Sequence, residues 1–566
     1  MSEPKLAINE YLKADSDYLR GTIKQGLSSQ LTGAFSDGDQ QLIKFHGFYQ
    51  QDDRDLRLER KAQKLEPLYS FMLRARVAGG VCTPAQWLAV DRIASELTQS
   101  GSIRLTTRQT FQYHGIPKRN LKTLIQGLDR QALDSIAACG DVNRNVMCNP
   151  NPLQSRLHQQ AYYWAKQLSD ELLPHTQAYA EIWLDKELLV SNQDVNVEPV
   201  YGSTYLPRKF KMAVAVPPDN DVDVYTNDLG FIAVADNDRL VGFNLVAGGG
   251  MGTTHGDSRT YPRLADDFGF IEAEDTLAFA KAVMTVQRDW GNREDRKLSR
   301  LKYTIDKYGF DTFKAEVERR AGKAFTPARE VTLGDRGDRY GWVEGVDGQW
   351  HLTLFIEGGR IIDNDQAHLM TGMREIARCH QGDFRMTANQ NIMIAGVASQ
   401  DKPRIEQLAR VHGLWRDELS LSRARSIACV ALPTCPLAMA EAERYFPEFM
   451  DKIDGLQQAH GLAALPIVVR MTGCPNGCAR PFAAEIGLVG KAPGRYNLYL
   501  GANFSGTRLN KLYQENIDET QILTIIDGLF AAYAANADAN EGFGDFCVRS
   551  RVVNAVVDAA RDFHHE

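Results

Sequence analysis

The sequence has no apolar run of the roughly 18 residues that a membrane-spanning helix needs. Its amino terminus, MSEPKLAINEYLKADSDYLRGTI, has no apolar segment of the secretory type. Both absences predict a cytoplasmic protein with no membrane partner. Excess positive charge is also missing. Lys and Arg number 65 against 72 Asp and Glu, for a net charge of −7 and a pI near 6.0. That balance argues against a general nucleic-acid binder, though it leaves the sign of any one site open. The nine cysteines are an odd number with no secretory context, so a disulfide framework is not expected. A nucleotide fingerprint is lacking as well. GGGMG (248–252) follows the strand-like LVGFNLVA, but the chain continues into TTHGDSRTYPR, which is not a helix. The glycines therefore read as a turn against a cofactor or another strand.

What the chain does have is a set of four cysteines in its last third. Cys429 and Cys435 lie in SIACVALPTCP, and Cys474 and Cys478 in TGCPNGCARP. The spacings are C-x5-C, 38 intervening residues, and C-x3-C. Four thiolates gathered this way can hold an iron–sulfur cluster. Zinc and plain buried thiols are the competing readings, and the x5 spacing is loose for zinc. Gly473, Pro475, Asn476 and Gly477 favour tight turns whose amides can point at sulfur.

The chain also repeats itself. IRLTTRQTFQYHGI (103–116) aligns without gaps on FRMTANQNIMIAGV (384–397), and LRARVAGG (73–80) on LTLFIEGG (352–359). Each pair reads as strands flanking a helical stretch, 83–99 and 365–380. A longer segment with a Cys-containing turn follows each, NRNVMCNPNP in the first half and SIACVALPTCP in the second. The expected fold is α+β with a pseudo-twofold duplication. Its expected parts are a polar arm (1–65) for partner docking, a small half-repeat (66–135), a larger domain (136–340), a second small half-repeat (341–410) and a larger cluster-type domain (411–566). Only Cys148 lies near the corresponding place in the first half, so one cluster is expected, not two.

Basic residues sit within apolar, β-prone stretches instead of charge runs. Arg74 and Arg76 alternate in LRAR, and Arg104 and Arg108 share a face. Arg144 lies in NRN, and Arg208, Lys209 and Lys211 in YLPRKFK. Internal positive charge must be compensated, so the set reads as an anion site. His114 in FQYHG is the histidine best placed beside it, and a satisfied core histidine is the plainer reading.

With these residues in hand, the chain resembles the haemoprotein (beta) subunits of assimilatory NADPH-sulfite reductase, within the siroheme nitrite and sulfite reductases. SDYLRGTI, FHGFYQQDDRD, SIRLTTRQTFQYHG, DVNRNV, TYLPRKFK, RDWGNREDRK, KAPGRYNLYLG and the paired cysteine motifs carry the resemblance. It implies a siroheme beside a 4Fe-4S cluster held by Cys429, Cys435, Cys474 and Cys478, with Cys478 shared between the two; the half-repeats 66–135 and 341–410 would be ferredoxin-like, 136–340 the siroheme/substrate domain and 411–566 the cluster and siroheme domain. It implies six-electron reduction of sulfite to hydrogen sulfide, in sulfate assimilation and cysteine biosynthesis. Arg74, Arg144, Lys209 and Lys211 match the substrate face. Arg104, Thr106, Arg108, Gln112, His114, Arg208, Gln390 and Asn476 match positions at the siroheme. Electrons are implied to come from NADPH through a flavoprotein (alpha) subunit carrying FAD and FMN, in a hetero-oligomer. Siroheme nitrite reduction to ammonia is the nearest alternative. An iron–sulfur electron carrier would not need the internal arginines, and a zinc scaffold would be colourless.

Overall fold

The computed structural model describes residues 5–564 apart from 152, 154, 176–180, 185–186 and 192–197. All the site residues expected above fall within it. Two five-stranded sheets form the centre. The first runs in the order Phe48–Asp52, Tyr69–Arg74, Phe111–Ile116, Ile103–Leu105, Arg360–Ile361. The second runs Gly341–Glu344, Trp350–Leu354, Ile392–Val397, Asp383–Met386, Val81–Cys82. The last strand of each sheet comes from the other half of the chain. Arg360 pairs with Arg104 and Ile361 with Ile103, while Val81 pairs with Arg385 and Cys82 with Phe384.

The Gly-Gly turns make this exchange possible. Gly79 and Gly80 have φ of 57° and 74°, and Gly358 and Gly359 have 57° and 72°. An added Cβ at Gly80 would lie 2.5 Å from the Met386 carbonyl oxygen, and one at Gly359 would lie 2.3 Å from that of Leu105. Left-handed backbone costs an L-residue about 1–2 kcal/mol, and overpacking adds ~1–3 kcal/mol. Gly359→Ala should therefore cost ~2–5 kcal/mol, read as a lower denaturant midpoint; an unchanged midpoint would show that the crossing tolerates a side chain.

Thr83 caps the helix Pro84–Leu97, its side chain accepting the Gln86 amide while the Gln86 side chain returns to Thr83, as the TPAQ sequence predicts. That helix and its counterpart Leu369–Cys379 lie over one core shared by Leu73, Trp87 and Phe111 with Leu352, Phe384 and Ile394. The two halves bury each other's apolar faces.

Two outer sheets repeat a single topology. One runs Met147–Cys148, Met212–Ala215, Leu229–Asp236, Arg239–Ala247, Asp266–Glu272; the other runs Ile427–Ala428, Val469–Thr472, Ile486–Ala492, Arg495–Leu500, Lys511–Ile517. In each, the first three strands pair in parallel and the last two join antiparallel. The pseudo-twofold α+β architecture expected from the sequence is present.

Residues 1–65, expected from their polar composition to form a docking arm, also pack into the core. Phe48–Asp52 is an edge strand of the first sheet, and Phe35, Leu42, Ile43 and Phe45 are buried. Glu10 and Lys13 are buried too, the lysine 2.6 Å from Glu10 and 3.8 Å from Asp141. Polar composition hid these contacts, because buried charges that pair with one another look in sequence like a solvated face.

Candidate active site

The four thiols meet at the end of the second outer sheet. Cys429 follows the strand Ile427–Ala428, and Cys474 and Cys478 follow Val469–Thr472. Parallel pairing of those strands (Ala428 with Met471) brings the two motifs together. The Gly473 amide donates to Cys429 Sγ at 3.3 Å, and Asn476 Nδ2 to Cys474 Sγ at 3.5 Å. Burial raises the Cys429 and Cys435 thiols, and repulsion from the other cysteines, Cys478 foremost, raises them further. The four are therefore close neighbours. Four thiols gathered at the end of one sheet fit the ligand set of an iron–sulfur cluster.

Cys474 is buried and Cys429 and Cys435 are half-buried, while Cys478 is exposed and lines a cavity at the end of the sheet. Arg108, Lys209, Lys211, Arg300 and Asn476 line it with Cys478. Lys209 and Lys211 have no hydrogen-bond or ion-pair partner for their ammonium groups among the described residues. Burial, then repulsion from Arg208 and Arg300, pushes Lys209 down to about 7. Burial and Lys209 push Lys211 well below the usual lysine range. Burial lowers Arg108 to about 9 and Arg208 to about 10. So many cations disfavouring one another make a site suited to binding anions.

The other expected residues divide into two groups. Arg74 and Arg144 stand close by. Cys478 is among the charges acting on Arg74, and Arg144 among those acting on Lys209. Arg74 Nη1 reaches Cys139 Sγ at 3.2 Å, and its buried Nε has no partner. Arg144 Nε donates to the Gly140 carbonyl at 2.7 Å. Arg104 behaves differently. It pairs with Glu443 at 2.6 Å and donates to the Ala428 carbonyl at 3.1 Å, beside the Cys429 loop. Gln112 contacts His114 at 3.2 Å, and His114 contacts Arg360 at 3.3 Å, so the histidine is a satisfied core residue. Thr106 bonds Thr110 within its turn, and Arg208 lies 4.0 Å from Asp141. Gln390, in left-handed backbone at φ 70°, keeps a buried, unpartnered Oε1.

The glycine turn 248–252 has its explanation here. Thr253 N–H donates to the Pro475 carbonyl at 2.9 Å, and a Cβ on Gly477 would lie 3.0 Å from the Met251 carbonyl. The turn packs against the Cys474–Cys478 turn, as a close approach of two backbones requires. Lys302, fully buried, fastens it by donating to the Gly250, Gly252 and Tyr261 carbonyls.

Asp223 and Arg480 went unnoticed in the sequence. They occupy equivalent places in the two halves, each in left-handed backbone (φ 46° and 54°) just before a short 3-10 turn. They bond each other at 2.5 Å across the pseudo-twofold relation. Arg470 and Arg336 also bind the Asp223 carboxylate, at 2.6 and 3.1 Å. Arg480 further holds the Thr107 and Ala388 carbonyls, two residues from Cys478. The same equivalence sets Asn149 against Cys429 and Asp221 against Cys478, and the Asn149 and Asp221 side chains bond each other at 2.9 Å. An amide and a carboxylate thus stand where the second half has thiols.

Residues 63–131 and 344–411 match the nitrite/sulfite reductase ferredoxin-like half domain, and residues 163–325 match the nitrite and sulphite reductase 4Fe-4S domain. The last match covers the half without the four cysteines, the internal relative of the segment that carries them. Proteins named sulfite reductase (NADPH) hemoprotein beta-component from Shewanella sp. (strain ANA-3) and Shewanella baltica (strain OS155 / ATCC BAA-1091) are each 76% identical over 564 residues, covering all of both chains. The chain belongs to the sulfite reductase hemoprotein beta-component family. The solved Mycobacterium tuberculosis NirA protein shares its fold, at TM-score 0.77 and 22% identity over 97% of each chain. Among the described residues no helix is long and apolar enough to cross a membrane.

Proposed function

We propose that this chain catalyses the six-electron reduction of sulfite to hydrogen sulfide with a siroheme and a 4Fe-4S cluster. The observation that carries the reading is the pair of unpartnered lysines, Lys209 and Lys211, sharing a cavity with Cys478 of the four-thiol set. Cys429, Cys435, Cys474 and Cys478 would hold the cluster, with Cys478 shared by the siroheme iron. When bound, these groups supply electrons one at a time and an open iron for sulfur.

The chain's own residues do the rest. Lys209, Lys211, Arg74 and Arg144 bind the anion's oxygens by charge-assisted bonds, and the lysines deliver protons as each oxygen leaves as water. Siroheme's carboxylates answer the surplus of cations, which Arg108, Arg208 and Asn476 would meet directly, with Arg300 beside them. Thr106 and Gln390 complete that set through their turns. Arg104, Gln112 and His114 stand one layer back, where Arg104 steadies Glu443 and the Cys429 loop.

Electrons would come from NADPH through a flavoprotein (alpha) subunit carrying FAD and FMN, in a cytoplasmic hetero-oligomer that needs neither nucleic acid nor membrane. The five segments expected from the sequence serve this scheme, with residues 1–65 contributing to partner docking as well as to the core. The purified protein should be coloured and contain four cluster irons with matching sulfide plus one haem iron. A colourless, iron-free protein that neither binds siroheme nor reduces sulfite with a dye donor after reconstitution would defeat the proposal. Nitrite, named with sulfite in the family's description, tests the alternative as a second substrate in the same assay.

A further inference from the structure

Lys302, the second residue of the helix Leu301–Tyr308, is fully buried and has no ion-pair partner among the described residues. Its ammonium donates to the Gly250 carbonyl at 3.1 Å, to the Gly252 carbonyl at 2.9 Å and to the Tyr261 carbonyl. A neutral amine has two N–H donors and an ammonium three, so three carbonyl acceptors call for the charged form. The rings of Tyr303 and Tyr261, 4.8 and 5.8 Å from Nζ, complete a cage suited to a cation. The two carboxylates that act on Lys302 from a distance are committed elsewhere. Asp228 accepts from Arg300 at 2.9 and 3.0 Å, and Asp306 accepts from Arg263 at 3.1 Å and from the Tyr261 hydroxyl at 2.6 Å. An internal charge left without a counter-charge is costly, so its neighbours should supply one.

The neighbour in question is the turn that carries Cys474 and Cys478. Gly250 and Gly252 belong to the glycine turn 248–252, which backs it. Thr253 N–H and Oγ1 both donate to the Pro475 carbonyl, at 2.9 and 3.3 Å. A Cβ on Gly252 would lie 3.3 Å from the Asn476 carbonyl oxygen. One layer of backbone therefore separates the ammonium from the turn that bears two of the four thiols. Arg300, two residues earlier, lines the anion cavity in front of that turn. Four thiolates make an iron–sulfur cluster net negative, and each added electron makes it more so. A positive charge fixed behind the thiols, in an interior of low dielectric, favours the reduced form.

We propose that Lys302 is a positioning residue whose caged charge, fixed behind the Cys474–Cys478 turn, raises the reduction potential of the cluster held there. The proposal rests on the function proposed above. Lys302 touches neither a thiol nor the anion cavity, so it acts through the turn it fastens and through its field. No bond forms or breaks at the lysine, and it neither gives nor takes an electron. Its charge compensates part of what the cluster gains on reduction. That makes the two sides of the turn complementary: Arg300, Lys209 and Lys211 answer anions in the cavity, and Lys302 answers the cluster from behind.

The test is a redox titration of the holoenzyme followed by low-temperature magnetic resonance of the cluster. Three variants separate charge from fastening. Lys302→Gln loses the charge but keeps two N–H donors for the carbonyls, Lys302→Met loses both, and Lys302→Arg keeps both. At a fixed solution potential the ratio of reduced to oxidised cluster should fall ~10-fold in the glutamine and methionine variants alike. It should stay near the wild-type ratio in Lys302→Arg. Hydrogen exchange at the Thr253 amide reports the turn on the same samples, and should match the wild type in Lys302→Gln and quicken in Lys302→Met. A wild-type ratio in Lys302→Gln would overturn the proposal. So would a shift in Lys302→Met alone, which would make the lysine a fastener and nothing more. If Lys302→Met does not fold, Lys302→Gln against Lys302→Arg decides, and equal shifts in those two would overturn it. A wild-type protein that shows no cluster signal would instead strike the function itself.

Discussion

Lys209→Ala should bind siroheme normally and reduce sulfite ~10²-fold more slowly, the usual scale for losing one positioned proton donor. The lysine's surroundings explain the expectation. Its ammonium shares a cavity with Lys211, Arg108 and Cys478 and pairs with no carboxylate among the described residues. Burial and neighbouring cations push it down to about 7, so near neutrality it can both hold a proton and give it up. The sign of the pH effect follows. The charged form binds the anion and carries the proton, and it prevails below the pKa. Activity should fall as pH rises through that value, and bound sulfite, being negative, moves the fall upward from about 7. Lys209→Ala should flatten that alkaline limb as well as lower the plateau. Lys209→Arg should keep anion binding but recover little of the rate, because a guanidinium does not release its proton in this range. The check is kcat and KM against pH for the three proteins at equal siroheme content. A wild-type profile in the alanine variant would remove Lys209 from the chemistry.

How much of this was legible in the sequence depends on the range of the interaction. The cysteine set was legible, because ligand spacing is local and the two motifs are short. So was the duplication, since IRLTTRQ and FRMTANQ preserve the same strand, turn and left-handed Gln109 and Gln390. The exchanged edge strands were not. Val81–Cys82 and Arg360–Ile361 are two residues long, too short to carry a period. Arg300 and Lys302 were missed because RDWGNREDRKLSRLKY reads as a solvated charge run, yet Arg300 is bound by Asp228 at 2.9 Å and Lys302 is fully buried. Asp223 was invisible for a different reason. Its partners Arg336, Arg470 and Arg480 lie at least 113 residues away, and no local pattern announces a carboxylate shared by three arginines. Arg104 was legible as a cation inside a strand, but its partners Glu443 and the Ala428 carbonyl, 339 and 324 residues away, were not.

Cys478→Ser should leave a folded protein in which the cluster and the haem, where both still assemble, no longer influence each other's magnetic and optical spectra. Sulfite reduction should drop to background. The geometry singles out this cysteine. Cys429 accepts from the Gly473 amide, the Asn476 side chain reaches Cys474, and Cys435 packs against the domain's hydrophobic core. Cys478 alone opens into the cavity that holds Lys209 and Lys211. It is the one thiol of the four that can face the cluster on one side and an anion-binding iron on the other. Its position is fixed at two points, since Thr107 Oγ1 donates to the Cys478 carbonyl at 3.1 Å and Arg480, two residues on, is held by Asp223. A serine oxygen at that place is a hard, poor ligand for iron otherwise held by thiolates. Cys435→Ser separates the two roles of the set. It should disturb the cluster's own signals and lower its occupancy, while the siroheme, which does not need that corner, still binds. The measurement is paired low-temperature magnetic resonance and visible spectra of both variants, with iron and siroheme assayed on the same samples. Retained coupling in Cys478→Ser, or lost coupling in Cys435→Ser with the cluster intact, would move the bridge to another thiol.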